Sequence, residues 1–260
     1  LIIEAIPEDI DLKCRFWADV SKKARAEAIL ATNTSSISIT AMSEAVSHPE
    51  RFVGMHFFNP AAVMRLVEVI PGSRTGAETV ETVKALAERM EKTPVVSKRD
   101  SPGFIVNRVL ITYLNEAAKL LEGKRWTKEQ IDGAMQHKAK MPLGPFMLMD
   151  LIGLDIVYNI LKVFGENLGS GYRPARPIEE LYEAKKLGRK TGEGFYNYRE
   201  QPRVSEREGE GFDPKLLLRP LVSEAEKVVR EGIADREAVD TALKLGANLP
   251  LGPFELAKNM

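Results

Sequence analysis

The sequence predicts a doubly wound α/β domain entered in mid-sheet, then an all-α domain, then a partial second copy of that helical domain. Three observations carry this prediction. Short apolar, β-branched runs alternate with amphipathic helical stretches from Leu1 to about Ser97. The pattern becomes wholly helical after Ser101-Pro102-Gly103. Residues 127–150 then recur without gaps at 235–258.

The opening LIIEAI reads as a buried strand ending at Ala5–Ile6. Asp9 to Glu27 reads as a helix, with Leu12, Phe16, Val20 and Ala24 at four-residue spacing. Ala28–Thr32 is the next strand, and a helix starts in Ser38–Val46. Strands follow at Phe52–Phe58 and Leu66–Ile70, a helix at Thr79–Lys92 and a short strand at Pro94–Ser97. Strands alternating with helices point to the doubly wound arrangement. Such a domain, when it binds a nucleotide, carries a G-x-G-x-x-G loop after its first strand. No such loop is present, so the sequence reads as a fragment that lacks the N-terminal part of its first domain.

From Phe104 the run FIVNRVLITYLNEAAKLLEGK is helical, and T-K-E-Q at Thr127 has the form of a capping box. The stretch MPLGPFMLMDLIGLDIVYNILKVFGENLG adds a turn and further helix. Glu200–Gly211 is polar, charged and glycine-bearing and reads as a linker. The segment 127–150 matches 235–258 at an offset of 108 with 10 identities in 24 positions, and MPLGPFMLM returns as LPLGPFELA. PLGPF is not generic helix sequence, so the helical domain reads as duplicated. Position 215, which matches Asn107, is Lys, so the second copy reads as structural.

Composition excludes several function classes. Lys plus Arg equals Asp plus Glu at 37 each, which gives no whole-chain field to gather nucleic acid or an anionic membrane. One cysteine, Cys14, allows no intrachain disulfide, and with only His48, His56 and His137 a zinc site is not expected. No apolar run reaches the roughly 18 residues of a membrane span. The start resembles no secretory signal. A cytoplasmic protein is the expectation.

The segment RFVGMHFFNP sets His56 among apolar strand neighbours, and twelve residues on MRLVEVIPG sets Glu68 in an apolar strand. A buried unpaired carboxylate costs several kcal/mol or takes up a proton. Glu68 therefore needs a partner: Arg65 on its own strand, or His56 if the two strands are neighbours. A carboxylate on the imidazole would fix its tautomer and stabilise its protonated form, which suits a general base. ATNTSS follows an apolar strand at the sheet's carboxyl edge, where ligands bind in open α/β folds. Its Ser35 or Ser36 could equally cap the helix that follows. DSPGFIVNR sets Asn107 and Arg108 in a largely apolar helix, where an amide reaches a cleft or bonds structurally.

Together these strings closely resemble the 3-hydroxyacyl-CoA dehydrogenase family. EAIPED, NTSS, HFFNP, LVEVI, SPGFIVNR, PLGPF, D-x-x-G-L-D (Asp150–Asp155) and RKTGEGFYNY occur in the family's order over residues 1 to about 198. The resemblance implies a Rossmann-like NAD-binding domain over 1–98 and a helical C-terminal domain over 99–199. The linker is then 200–211, and 212–260 a truncated second copy. It implies NAD-dependent oxidation of an (S)-3-hydroxyacyl-CoA to the 3-ketoacyl-CoA, as in fatty-acid β-oxidation. His56 becomes the base, Glu68 its orienting partner, and Ser35 and Asn107 hold the reacting oxygen. Glu8, Lys13, Ser35, Asn59 and Lys190 fall where the family contacts NAD; NAD over NADP rests on family tendency alone.

Single-copy members of the family dimerise through the helical domain, so the second copy here is expected to imitate that partner within one chain. Long members carry a fused enoyl-CoA hydratase domain. Two other readings stand beside this one: a hydroxyacid or sugar-acid dehydrogenase on the same scaffold, and a non-catalytic assembly module without the phosphate loop.

Overall fold

Five short strands build one sheet in the order β1-β2-β3-β4-β5. The computed structural model describes residues 1–258 and 260. The strands are β1 (Ile2–Glu4), β2 (Leu30–Thr32), β3 (Phe52–Phe57), β4 (Leu66–Pro71) and β5 (Thr93–Val96). β1, β2 and β3 pair in parallel, as do β4 and β5, whereas β3 and β4 are antiparallel. Eight residues join β3 to β4, too few for the crossover of a dozen or more that a parallel pair needs. The alternation of strands and helices is thus as expected, but the sheet reverses direction at one pair.

The reversal puts His56 directly opposite Glu68 in the β3–β4 register. Opposite residues on antiparallel strands share a face and interact side chain to side chain. The period of two sorts both strands. Val53, Met55, Val67 and Val69 pack with Val83 and Ala87 of α3 (Ala77–Arg89) on one face. Phe52 and Ile70 pack on the other with Trp17 of α1 (Ile10–Lys23), Ile39 and Met42 of α2 (Ile39–Ser43), and Phe104. His56 and Glu68 fall on this second face, two residues from Gly54 and Ile70, and so sit in the parity of the core rather than of the surface.

The helices begin where their caps dictate. Asp9 accepts from Leu12 N–H to start α1, and Ser38 from Ala41 N–H to start α2. Ser38 is itself held by Asp100, which also accepts from Thr40 N–H. Capping by Ser35 or Ser36 is therefore not what the structure does.

The remaining helices are α4 (Val106–Glu122), α5 (Lys128–His137), α6 (Pro145–Ile152), α7 (Leu154–Asn167), α8 (Arg176–Glu183), α9 (Lys215–Arg230), α10 (Arg236–Gly246) and α11 (Pro253–Ala257). Starts of α5 and α10, and of α6 and α11, are each 108 residues apart, matching the sequence repeat. Thr127 and Asp235 supply the side-chain caps of α5 and α10, and Thr127 forms the expected capping box with Gln130.

Two compact units result. One comprises Leu1–Arg108 and Glu226–Ala247; the other comprises Val109–Ala225 and Asn248–Met260. These divisions cut across the sequence segments because residues 226–247 pack with the sheet-bearing part. In the second unit, 200–211 is packed rather than loose. Val204 and Gly209 are buried, the Val204 carbonyl meets His137 Nε2 at 2.9 Å, and Gly209 lies backbone to backbone against Gly133 of α5. Glycine at both positions permits that approach.

Candidate active site

A continuous hydrogen-bonded chain runs from a helix start through two side chains to the mouth of the sheet. Glu68 is fully buried. Its Oε1 accepts from the N–H groups of Ile105 and Val106, both at 3.0 Å, at the opening of α4. Its Oε2 lies 2.8 Å from His56 Nδ1. The carboxylate's charge is thus met by two amides, the positive end of a helix and an imidazole. Arg65, the alternative partner, is not what holds it.

The approach to α4 is shaped for this contact. Gly103 and Phe104 both have positive φ, 75° and 54°. A non-glycine residue in that region costs about 1–2 kcal/mol. Burial of the Phe104 ring and the two bonds to Glu68 offset the strain. The same ring stands edge-on to His56, with centroids 5.7 Å apart, and Phe58 packs on the imidazole at 4.5 Å.

Because an ionised carboxylate only accepts, Nδ1 of His56 carries the proton it donates to Glu68. Nε2 is then left as the basic nitrogen. It faces Ser35 Oγ at 3.2 Å. Asn107, one residue into α4, donates from Nδ2 to the Ser35 carbonyl at 3.3 Å. Three sequence-distant segments therefore converge: 33–36 after β2, the end of β3, and the start of α4. His56, Glu68, Ser35 and Asn107 are all brought together.

Beside them lies a second polar cluster at the carboxyl ends of β1 and β2. Glu8 Oε1 accepts from Thr34 Oγ1 at 2.6 Å, from the N–H groups of Ser35 and Ser36 at 2.9 and 3.0 Å, and from Ser36 Oγ at 3.1 Å. Its side chain remains 39% exposed, so it still faces outward. Lys13 does not. Buried to 1% exposure, its ammonium bonds Glu4 Oε1 and the Ile6 carbonyl and lies 3.5 Å from Glu8 Oε2. Asn59 follows β3 on the exposed surface, joined to Pro60 by a cis bond. Lys190 belongs to the second unit, where its ammonium pairs with Asp155.

Sequence reasoning missed several supports. Asn33 Oδ1 accepts from Phe57 N–H at 2.8 Å and fixes the end of β3 beside His56. Glu4 accepts from Thr32 Oγ1, Ile6 N–H and Lys13, and so ties β1 to β2. A buried acid in a strand, the signal that exposed Glu68, was equally present at Glu4.

The chain is also similar to known proteins in sequence and in fold. The NAD-binding domain of 3-hydroxyacyl-CoA dehydrogenase matches residues 1–101, and the C-terminal domain of the same enzyme matches 103–198 and 211–260. A probable 3-hydroxybutyryl-CoA dehydrogenase of Deinococcus radiodurans is 44% identical over 199 residues, which cover 76% of this chain and 71% of that protein. A fatty acid oxidation complex subunit alpha of Vibrio campbellii is 39% identical over 90% of this chain, and the match spans only 34% of that protein's length. The crystal structure of 3-hydroxybutyryl-CoA dehydrogenase from Escherichia coli superposes with a TM-score of 0.89 at 27% identity, over 99% of this chain and 74% of that one. Both domains, the relatives and the fold agree: the chain belongs to the 3-hydroxyacyl-CoA dehydrogenase family.

Proposed function

We propose that this chain carries the proton-transfer centre of an NAD-dependent dehydrogenase that interconverts an (S)-3-hydroxyacyl-CoA and its 3-ketoacyl-CoA. The observation that carries the reading is the line from the Ile105 and Val106 amides through Glu68 to His56 Nδ1, which leaves Nε2 as a base beside Ser35. In the oxidation, Nε2 takes the proton of the 3-hydroxyl while C3 gives up a hydride, and the 3-keto group forms. Glu68 offsets the positive charge that appears on the imidazole. Ser35 Oγ and the Asn107 amide orient the oxygen; in the reverse reaction they polarise the ketone.

The bound nicotinamide coenzyme supplies the hydride acceptor. Glu8, Ser35 and Asn59 follow the carboxyl ends of β1, β2 and β3, the edge at which open α/β sheets take ligands. The outward-facing carboxylate of Glu8 fits a hydroxyl-rich group there. Lys13 acts from behind, holding Glu8 in place, because its own ammonium already faces three protein oxygens. The repeat at 235–258 is a partial second copy of the helical domain and stands in for the dimer partner of single-copy relatives. Fusion to an enoyl-CoA hydratase domain and a cytoplasmic location complete the reading.

Two assays test it on the intact protein. NADH should oxidise in the presence of acetoacetyl-CoA and not with free acetoacetate. Preference for the free acid would favour a hydroxyacid dehydrogenase instead. Titration of NADH fluorescence should saturate; no binding would mark an assembly module.

A further inference from the structure

The start of α4 is where Glu68 finds its two amides, and a distant stretch of chain grips it. We propose that residues 226–247, at the end of α9 and through α10, form a clamp that sets the position of the Glu68–His56 pair. The proposal rests on the function proposed above and assigns positioning roles to Glu231 and Gly246.

Both ends of the segment that leads into α4 are held by one turn. Lys98 N–H donates to the Ile233 carbonyl at 2.7 Å, and its ammonium meets Asp235 at 3.1 Å. The Arg99 guanidinium donates to the Glu231 carbonyl at 3.1 Å. At the other end, Arg108 Nη2 donates to Glu231 Oε1 at 3.1 Å. Arg108 is 1% exposed, and a long cation drawn that far inside needs its partners in place. Between these two anchors lie Gly103, Phe104 and the amides that face Glu68.

The second grip is steric. A Cβ added to Gly246, the last residue of α10, would stand 2.6 Å from Leu66 Cδ2, 3.0 Å from Val106 Cγ2 and 3.3 Å from Phe58 Cε1. Two of these residues contact the reacting pair, and the third lies beside it. Val106 donates to Glu68, Phe58 packs at a tilt against His56, and Leu66 is two residues before Glu68 on the same face of β4. Glycine lets α10 approach this closely without displacing those side chains, although helices otherwise disfavour it. Ordinary helix packing explains a small residue, but not one set against two contacts of one dyad and a strand neighbour of its glutamate.

The test uses the intact enzyme, with acetoacetyl-CoA and NADH as probes. Gly246→Ala should lower kcat by about tenfold to a hundredfold, the range expected when catalytic groups move by up to 1 Å. The KM for NADH should change by less than about twofold. Adding Leu66→Val, which removes the nearest clashing methyl, should restore most of kcat. Glu231→Gln should lower kcat in the same way. Selective ¹⁵N-histidine spectra, with the His56 signals identified by their loss in His56→Gln, should show those ring signals displaced in Gly246→Ala and returned in the double variant. The proposal is overturned if Gly246→Ala keeps its kcat and its His56 signals, whatever happens to its melting temperature. It is also overturned if Leu66→Val rescues neither. If the wild type turns over no thioester, the functional reading fails, and the ring signals still decide the clamp.

Discussion

Two buried carboxylates in this molecule are each held by two amides at a helix opening and differ in how their oxygens are shared. Glu68 accepts two amide N–H groups, both at 3.0 Å, at the opening of α4. Asp132 accepts two, at 2.9 and 3.1 Å, from Phe146 and Met147 at the opening of α6. The difference lies in how the oxygens are spent. Glu68 spends one oxygen on both amides and leaves the other for His56, whereas Asp132 spends one on each. Burial pushes the Asp132 carboxyl up to about 7, against the pull of its two amides. Under the proposed function, the difference is that Glu68 keeps one oxygen for an imidazole whose other nitrogen faces Ser35.

Substitutions that remove the charge separate the two roles. Glu68→Gln should have the larger effect on turnover. Its amide can donate to Nδ1 and so leave the proton on Nε2, where the base must be free. A fall in kcat on the order of 10²–10³-fold follows, within the range of general-base catalysis, to be measured as NADH oxidation with acetoacetyl-CoA. Ser35→Ala removes one oxygen-orienting hydroxyl and should cost about tenfold in kcat, corresponding to one hydrogen bond of about 1.5 kcal/mol. Asp132→Asn should leave kcat within about twofold.

The effect of Asp132→Asn belongs instead to stability, and its sign is fixed by the direction of the shift. An acid whose folded value is raised holds its proton longer in the folded state than in the unfolded state. Its contribution to stability is therefore full below the ordinary carboxylate range and is lost as pH rises to about 7. Denaturant unfolding between pH 4 and 7 should show the wild type losing stability relative to Asp132→Asn. The slope should be at most about 1.4 kcal/mol per pH unit. A difference independent of pH would show that Asp132 does not titrate in that window.

The need of a buried carboxylate for a partner made the central pair legible. A histidine and a glutamate in two apolar strands could meet if those strands were neighbours, and the polar run after β2 lay at the ligand edge of the sheet. Backbone partners were not legible, since any residue type can donate the amides that hold Glu68. The left-handed Phe104 was equally hidden, because phenylalanine does not advertise that conformation. Lys13 matched a family position, but its burial behind Glu8 depends on Glu4 and the Ile6 carbonyl, which only the folded chain assembles. The reversal at β4 was readable from the eight-residue connection yet masked by the strand–helix alternation around it. Gly246 carried no local signal: its reason is Leu66, 180 residues away in sequence.

The central claim, that His56 is the base, is tested most directly by His56→Gln in the intact enzyme. The account predicts that turnover of acetoacetyl-CoA falls by about 10²–10⁴-fold, while the NADH dissociation constant measured by fluorescence stays within about threefold of the wild type. Turnover within tenfold of the wild type would contradict it.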